Sequence, residues 1–139
     1  MINIGVVGYS SGKFDEKIAK ALMAIAFDVI ETNHPSKEYM VVSGLTDLGI
    51  PSIAYNMAKK RGWKTMGVAC SQAKDYDCFP VDEEIIEGDN WGDESKTFLD
   101  QLDVFIRIGG GKQSLEETKT AKGRKNIKNV YEYDLPEKK

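Results

Sequence analysis

Three stretches of the sequence combine residue types that bind anions: GYSSGKF at 8–14, SGLTDLGIP at 43–51 and GGGKQSLEE at 109–117. Each follows an apolar run, contains glycine that lets the backbone approach a ligand closely, supplies a hydroxyl, and leads into a helix-forming segment. A helix start leaves N–H groups without intrahelical partners and carries the positive end of the helix dipole, so it favours an anion. The candidate ligand-binding residues are therefore Gly8, Ser10, Ser11, Gly12 and Lys13 in the first stretch and Ser43, Gly44, Thr46, Asp47 and Gly49 in the second. The third contributes Gly109, Gly110, Gly111, Lys112, Gln113 and Ser114.

The named nucleotide fingerprints do not fit these loops. Only three residues separate Gly8 from Gly12, Phe14 stands where a P-loop places the magnesium-binding Ser or Thr, and the first turn lacks G-x-G-x-x-G. Local roles compete for the same residues. Ser114-Leu115-Glu116-Glu117 is also S-x-x-E, the capping box in which serine and glutamate satisfy free helix amides reciprocally. Ser10 and Ser11 suit helix caps, and Asp47 suits an Asx turn. Arg107 is read as a salt-bridged strand end or an anion ligand, and Trp91 as a base-stacking ring at a pocket mouth or a cover over the core edge.

The elements that must position these loops alternate along the chain. INIGVVGY, YMVVSG, KTMGVAC, DVFIRIGG and NVYEYDL read as strands, and EEIIEG as a short extra one. Helices are expected where Ile18, Leu22, Ile25, Ala26 and Val29 recur, from Pro51 to the Lys59-Lys60-Arg61-Gly62 stop, over DESKTFLDQL, and over SLEETKTAKG. Strands alternating with helices build right-handed βαβ units. The expected fold is α/β: a single doubly wound, mainly parallel sheet of five to six strands with helices on both faces, Rossmann-like, spanning residues 1–139. In such sheets ligands gather at the carboxyl ends of the strands, where the three loops would lie.

Composition excludes several classes. A chain of 139 residues, 41% hydrophobic, suits one domain. No run approaches the roughly 20 apolar residues of a membrane span, and MINIGVVGYSSGK lacks the features of a secretory signal, so a cytoplasmic location without membrane association is expected. Cys70, Cys78 and a lone His34 are too few for a disulfide framework or a zinc set, so the cysteines read as free thiols and no metal is expected. A formal charge of −3 argues against a nucleic-acid partner, with KGRKNIK read as a solvated helix end.

In order and motif, the chain resembles the LONELY GUY phosphoribohydrolases, once labelled lysine decarboxylases, and the wider SLOG superfamily of Rossmann-like nucleotide-binding domains. The family hallmark is PGGxGTxxE, against which Gly109 to Glu117 read GGGKQSLEE. Gly110 and Gly111 match, Ser114 replaces the threonine and Glu117 takes the acidic position, while Gly109 stands for the proline and Gln113 for the third glycine. The resemblance implies a nucleotide or sugar-phosphate ligand, no required cofactor, and a homodimer or higher homo-oligomer. In the enzymatic branch it also implies hydrolysis of the base–ribose bond, with Glu117 as catalytic carboxylate and Glu116 as its less favoured neighbour. A carboxylate there would stabilise positive charge on the ribose or activate water. The enzymatic branch carries an arginine and a second acid ahead of the hallmark strand, and EGDNWGDESKTFLDQLD holds no arginine.

Four functions are consistent with these features. The leading one is a nucleotide-binding sensor, carrier or sequestering protein; the second is a nucleoside 5′-monophosphate phosphoribohydrolase. The third is a flavodoxin-like FMN carrier, with Trp63, Trp91 and Tyr76 flanking the flavin, and the fourth an interaction domain without a small ligand.

Overall fold

The computed structural model describes residues 1–138. Six strands form one sheet: β1 (Ile2–Gly8), β2 (Tyr39–Ser43), β3 (Lys64–Ala69), β4 (Glu83–Ile86), β5 (Val104–Ile108) and β6 (Asn129–Tyr133). Their order is β4-β3-β2-β1-β5-β6, and every pairing is parallel. The short EEII run expected as an extra strand is β4, paired to β3 from Met66↔Glu83 to Ala69↔Ile86. An isolated antiparallel bridge, Thr46↔Cys78, lies outside the sheet.

Four helices connect the strands: α1 (Glu16–Asn33), α2 (Gly49–Lys60), α3 (Ser95–Asp100) and α4 (Lys112–Lys122), with a short 3-10 turn at Ser71–Asp75. Alternation along the strands sorts side chains to two faces. Ile4, Val6, Val41, Val104, Ile106 and Ile108 pack with α1 and α2 residues such as Met23, Phe27, Ile30 and Ala54. Val7, Met40, Val42, Met66, Val68 and Phe105 pack on the other side with Phe98, Leu99 and Ala121 from α3 and α4. The sheet is thus doubly wound. The chain moves outward from β1 through β2, β3 and β4, then returns to the far side of β1 with β5 and β6.

Two helix starts differ from expectation. α1 is capped by Asp15, whose carboxylate accepts from the Ile18 amide at 3.2 Å, rather than by Ser10 or Ser11. α4 begins at Lys112, with Gly111 as an N-cap lacking any side-chain bond, so Ser114 lies inside the first turn and the capping box does not form. Pro51 and the Lys59-Lys60 end of α2 fall where expected, and Gly62 follows at φ +74°.

The start of α2 is pressed against the loop after β1. The Ile50 amide donates to the Tyr9 carbonyl at 2.9 Å, and Gly49 sits at φ +70° with space only for hydrogen. A Cβ there would lie 2.2 Å from the Tyr9 carbonyl oxygen. Gly49→Ala is expected to destabilise the protein by about 1–3 kcal/mol, from left-handed strain and this clash together, measured by urea denaturation. A loss below about 0.5 kcal/mol would show that the contact yields without cost.

Candidate functional site

All strand ends point one way, so the loops after β1, β2, β3 and β5 meet at one edge around a cleft of about 810 Å³. The cleft straddles β1, beside the position where winding reverses between β1 and β5. Of the expected ligand-binding residues, Gly8, Ser10, Ser11, Ser43, Gly44, Thr46, Asp47, Gly111, Lys112, Gln113 and Ser114 line it, and so does Glu117. Gly12, Lys13, Gly49, Gly109, Gly110 and Glu116 are outside its lining. Gly109 and Gly110 instead shape the turn, at φ +60° and +105°. Glu116 is on the exposed face of α4.

The lining residues divide by what their polar groups already do. Ser43 Oγ donates to the Val6 carbonyl at 2.6 Å, and Ser114 Oγ donates to the Gly8 carbonyl at 3.1 Å, so both hydroxyls tie the scaffold together. Asp47 accepts from Ser52 Oγ at 2.7 Å, while its backbone amide donates to the Asp77 carbonyl. The three helix starts are likewise unequal: α1 holds its own carboxylate cap, and α2 lacks an amide at Pro51 and spends that of Ile50 on Tyr9. α4 has no side-chain cap, and its first residue, Lys112, is the single basic residue in the cleft lining among the described residues. The anion-favouring end of the cleft is therefore the start of α4.

The other charged lining residues are acidic: among the described residues Asp47, Asp77, Glu94, Glu117 and Glu137 share the cleft with one lysine. Two of these acids are buried, Glu94 at 7% and Glu117 at 9% exposure. Glu117 Oε2 accepts from Ser95 Oγ at 2.8 Å. Glu94 Oε1 accepts from Gln113 Nε2 at 3.3 Å, and its Oε2 from the Gly92 amide at 3.1 Å. Burial pushes the Glu117 carboxyl up to about 7; the nearby Glu94 charge adds to this, and hydrogen bonds from Ser95 and Gln113 oppose it. A carboxyl so placed exchanges a proton near neutral pH, the property a general acid or base needs.

Arg107 does not join the site. Its guanidinium donates to Glu132 at 3.1 Å, to Asp134 at 2.8 Å and to the Gly109 carbonyl at 2.9 Å, the salt-bridged strand-end role. Trp91 is at the cleft mouth, 48% exposed, with its ring 6.1 Å from that of Tyr76, and does not cover the core edge. Trp63 lies at the opposite edge of the sheet, against Phe27 and Tyr39, so it cannot flank a flavin together with Trp91 and Tyr76. Sequence reasoning missed Glu94, Tyr9, Asp77 and Glu137 in the lining. Glu94 had one available signal, an acid just ahead of a helix in a run otherwise full of exposed acids. Among the described residues no group of three metal-ligating side chains occurs, and no helix is long and apolar enough to cross a membrane.

No protein-family model matches the chain, and no curated protein sequence matches it. Solved structures do. The molybdenum cofactor carrier protein of Chlamydomonas reinhardtii aligns over 94% of this chain and 75% of its own, at 23% identity and a TM-score of 0.71. The chain has the same Rossmann-like fold. A second structure of the algal Moco carrier protein aligns at 22% identity over 95% and 75%, with a TM-score of 0.63. The structural-genomics protein TM1055 aligns at 23% identity over 87% and 68%, with a TM-score of 0.64. These structures bear out the Rossmann-like fold expected from the sequence.

Glu117 links the site to stability. An acid raised from 4.5 to about 7 on folding contributes stability that is complete below pH 4.5 and is lost as pH rises through about 7. Above that, ionised Glu117 costs on the order of 3 kcal/mol relative to a neutral group. Glu117→Gln keeps an acceptor for Ser95 without the charge. Thermal denaturation between pH 4.5 and 8 should show the variant gaining on the parent protein as pH rises. Parallel profiles would place the titration elsewhere.

Proposed function

We propose that the protein binds a nucleotide or nucleotide-derived phosphate in this cleft and acts as a carrier, sensor or sequestering protein. The observation that carries this reading is the uncapped start of α4, with Lys112, opening into a cleft at the carboxyl edge of a parallel sheet. The phosphate would sit on the Gly111–Gln113 turn and the Ser10–Ser11 loop, with the rest of the ligand extending toward Trp91. A structural relative named as a molybdenum cofactor carrier is a precedent for a protein of this fold that holds a small ligand. By the family resemblance, the working form is a cytoplasmic homodimer or higher homo-oligomer.

A second reading, hydrolysis of the base–ribose bond, is favoured by one observation: a buried carboxyl with a pKa of about 7 at the cleft floor. Among the described residues no arginine lines the cleft to stabilise the departing group. Binding without turnover is therefore the primary reading.

Isothermal titration with nucleoside 5′-monophosphates and ribose 5-phosphate is expected to show saturable binding, weakened about tenfold by Lys112→Glu. Absence of heat with every member of the panel would remove this function. In parallel, chromatography for free base after incubation is expected to find none. Base release abolished by Glu117→Gln would establish the second reading instead.

A further inference from the structure

Glu94 and Glu117 are buried carboxylates without a cation: neither takes part in any ion pair among the described residues. A buried carboxyl group with no counter-charge keeps acceptor capacity that donors from outside the chain can take up. A phosphate is the wrong guest for this end of the cleft. Two carboxylates also fall short of a metal centre, since among the described residues no third ligating side chain joins them.

The turn that carries Glu94 also carries Trp91. Gly92, between them in sequence, donates its amide to Glu94 Oε2, which fixes the carboxylate relative to the indole. Asp93 Oδ2 accepts from the Asp89 and Asn90 amides at 3.1 and 3.0 Å. Ser71 and Gln72 bind Asp89 from the 3-10 turn, and the Ser71 amide donates to Gly88. Tyr76 follows that same 3-10 turn and meets the Trp91 ring. One braced unit thus presents two exposed aromatic rings and a buried carboxylate to the same cleft. Aromatic faces select a flat ring, and a carboxylate selects hydrogen-bond donors on its edge.

We propose that Trp91, Tyr76 and Glu94 form a subsite for a planar heterocycle whose edge bears a ring N–H beside an amino group, as guanine does. This inference rests on the cleft reading above and adds its specificity. Each carboxylate oxygen has two acceptor positions, so Glu94 can take both edge donors while keeping Gln113 and the Gly92 amide. Adenine, which presents a ring acceptor beside its amino group, would set a lone pair against the carboxylate. Hypoxanthine offers the ring N–H alone.

The test is titration calorimetry with 5′-GMP, 5′-IMP, 5′-AMP and ribose 5-phosphate against the parent protein, Glu94→Gln and Trp91→Ala, with circular dichroism to confirm folding. The parent protein is expected to bind GMP about tenfold or more tighter than IMP or AMP, the loss of one donor to a charged acceptor. Glu94→Gln should remove that preference and leave ribose 5-phosphate within about twofold, and Trp91→Ala should weaken all three nucleotides about tenfold or more. Equal affinity of the parent protein for GMP and IMP overturns the proposal, and needs no variant. So does an equal loss for ribose 5-phosphate and GMP in Glu94→Gln, which would assign the carboxylate to the sugar. Binding of ribose 5-phosphate with no gain from any base sinks the subsite alone. Failure of every ligand sinks the cleft reading with it.

Discussion

The structure depends on parallel pairing of β1 with a neighbour on each side, β2 and β5. A parallel strand cannot be reached by a tight turn, so each connection crosses the sheet, mostly as a helix, and returns to the same starting edge. All six strands therefore end at one rim, and the loops that follow them have no other place to go. Central β1 is buried from both faces, which explains its glycine and β-branched composition: a Cβ on Gly5 would overlap the Leu102 side chain, and one on Gly8 would overlap the Ile108 carbonyl. Close passage of β5 past Gly8 lets Ser114 reach the Gly8 carbonyl and seats α4 at the cleft.

Much of this was legible in the sequence because the relevant signals are local. Apolar runs of strand length, Pro51 in a first turn and Gly62 after a basic last turn each reflect rules acting within a few residues; the recurrence from Ile18 to Val29 located α1 but not its buried face, which is Ala19, Met23, Ala26, Phe27 and Ile30, with Ile18 and Ile25 exposed. Even β4 was visible in EEII, although that strand is largely exposed. The position of the glycine loops at a common edge followed from the fold class. What could not be read was the fate of individual polar groups. Ser114 and Glu117 fit a capping box by spacing, yet three-dimensional neighbours took them: Gly8 claimed the hydroxyl from 106 residues away, and Ser95 claimed the carboxylate. Only its place just ahead of α3 set Glu94 apart in sequence from Asp89 or Asp93, because burial is a tertiary property.

The cleft is polarised. The start of α4 offers free amides and an ammonium group, while Glu94, Trp91 and Tyr76 offer a buried acid and aromatic rings, Glu94 meeting the α4 start through Gln113. This arrangement discriminates by orientation, since a guest carrying a phosphate and a donor-bearing ring gains at both ends only when aligned one way. It also explains why Arg107, though near in sequence to the glycines, is useless to the site: three acceptors hold its guanidinium on the β6 side. A free arginine in the cleft would neutralise the acidic end, and the polarity would vanish.

The contact between Gly49 and Tyr9 has a mechanical meaning. With the Ile50 amide bonded to the Tyr9 carbonyl and no clearance at Gly49, the loop holding Ser10 and Ser11 and the first turn of α2 behave as one body. A guest that drew those serines inward would have to tilt α2. At its other end this helix passes into Arg61, which grips Asp28 and Glu31 of α1 and lies over Phe27 and Trp63. Occupancy at the rim would thus be felt as leverage on the opposite side of the molecule, through a rigid rod and without any new bond.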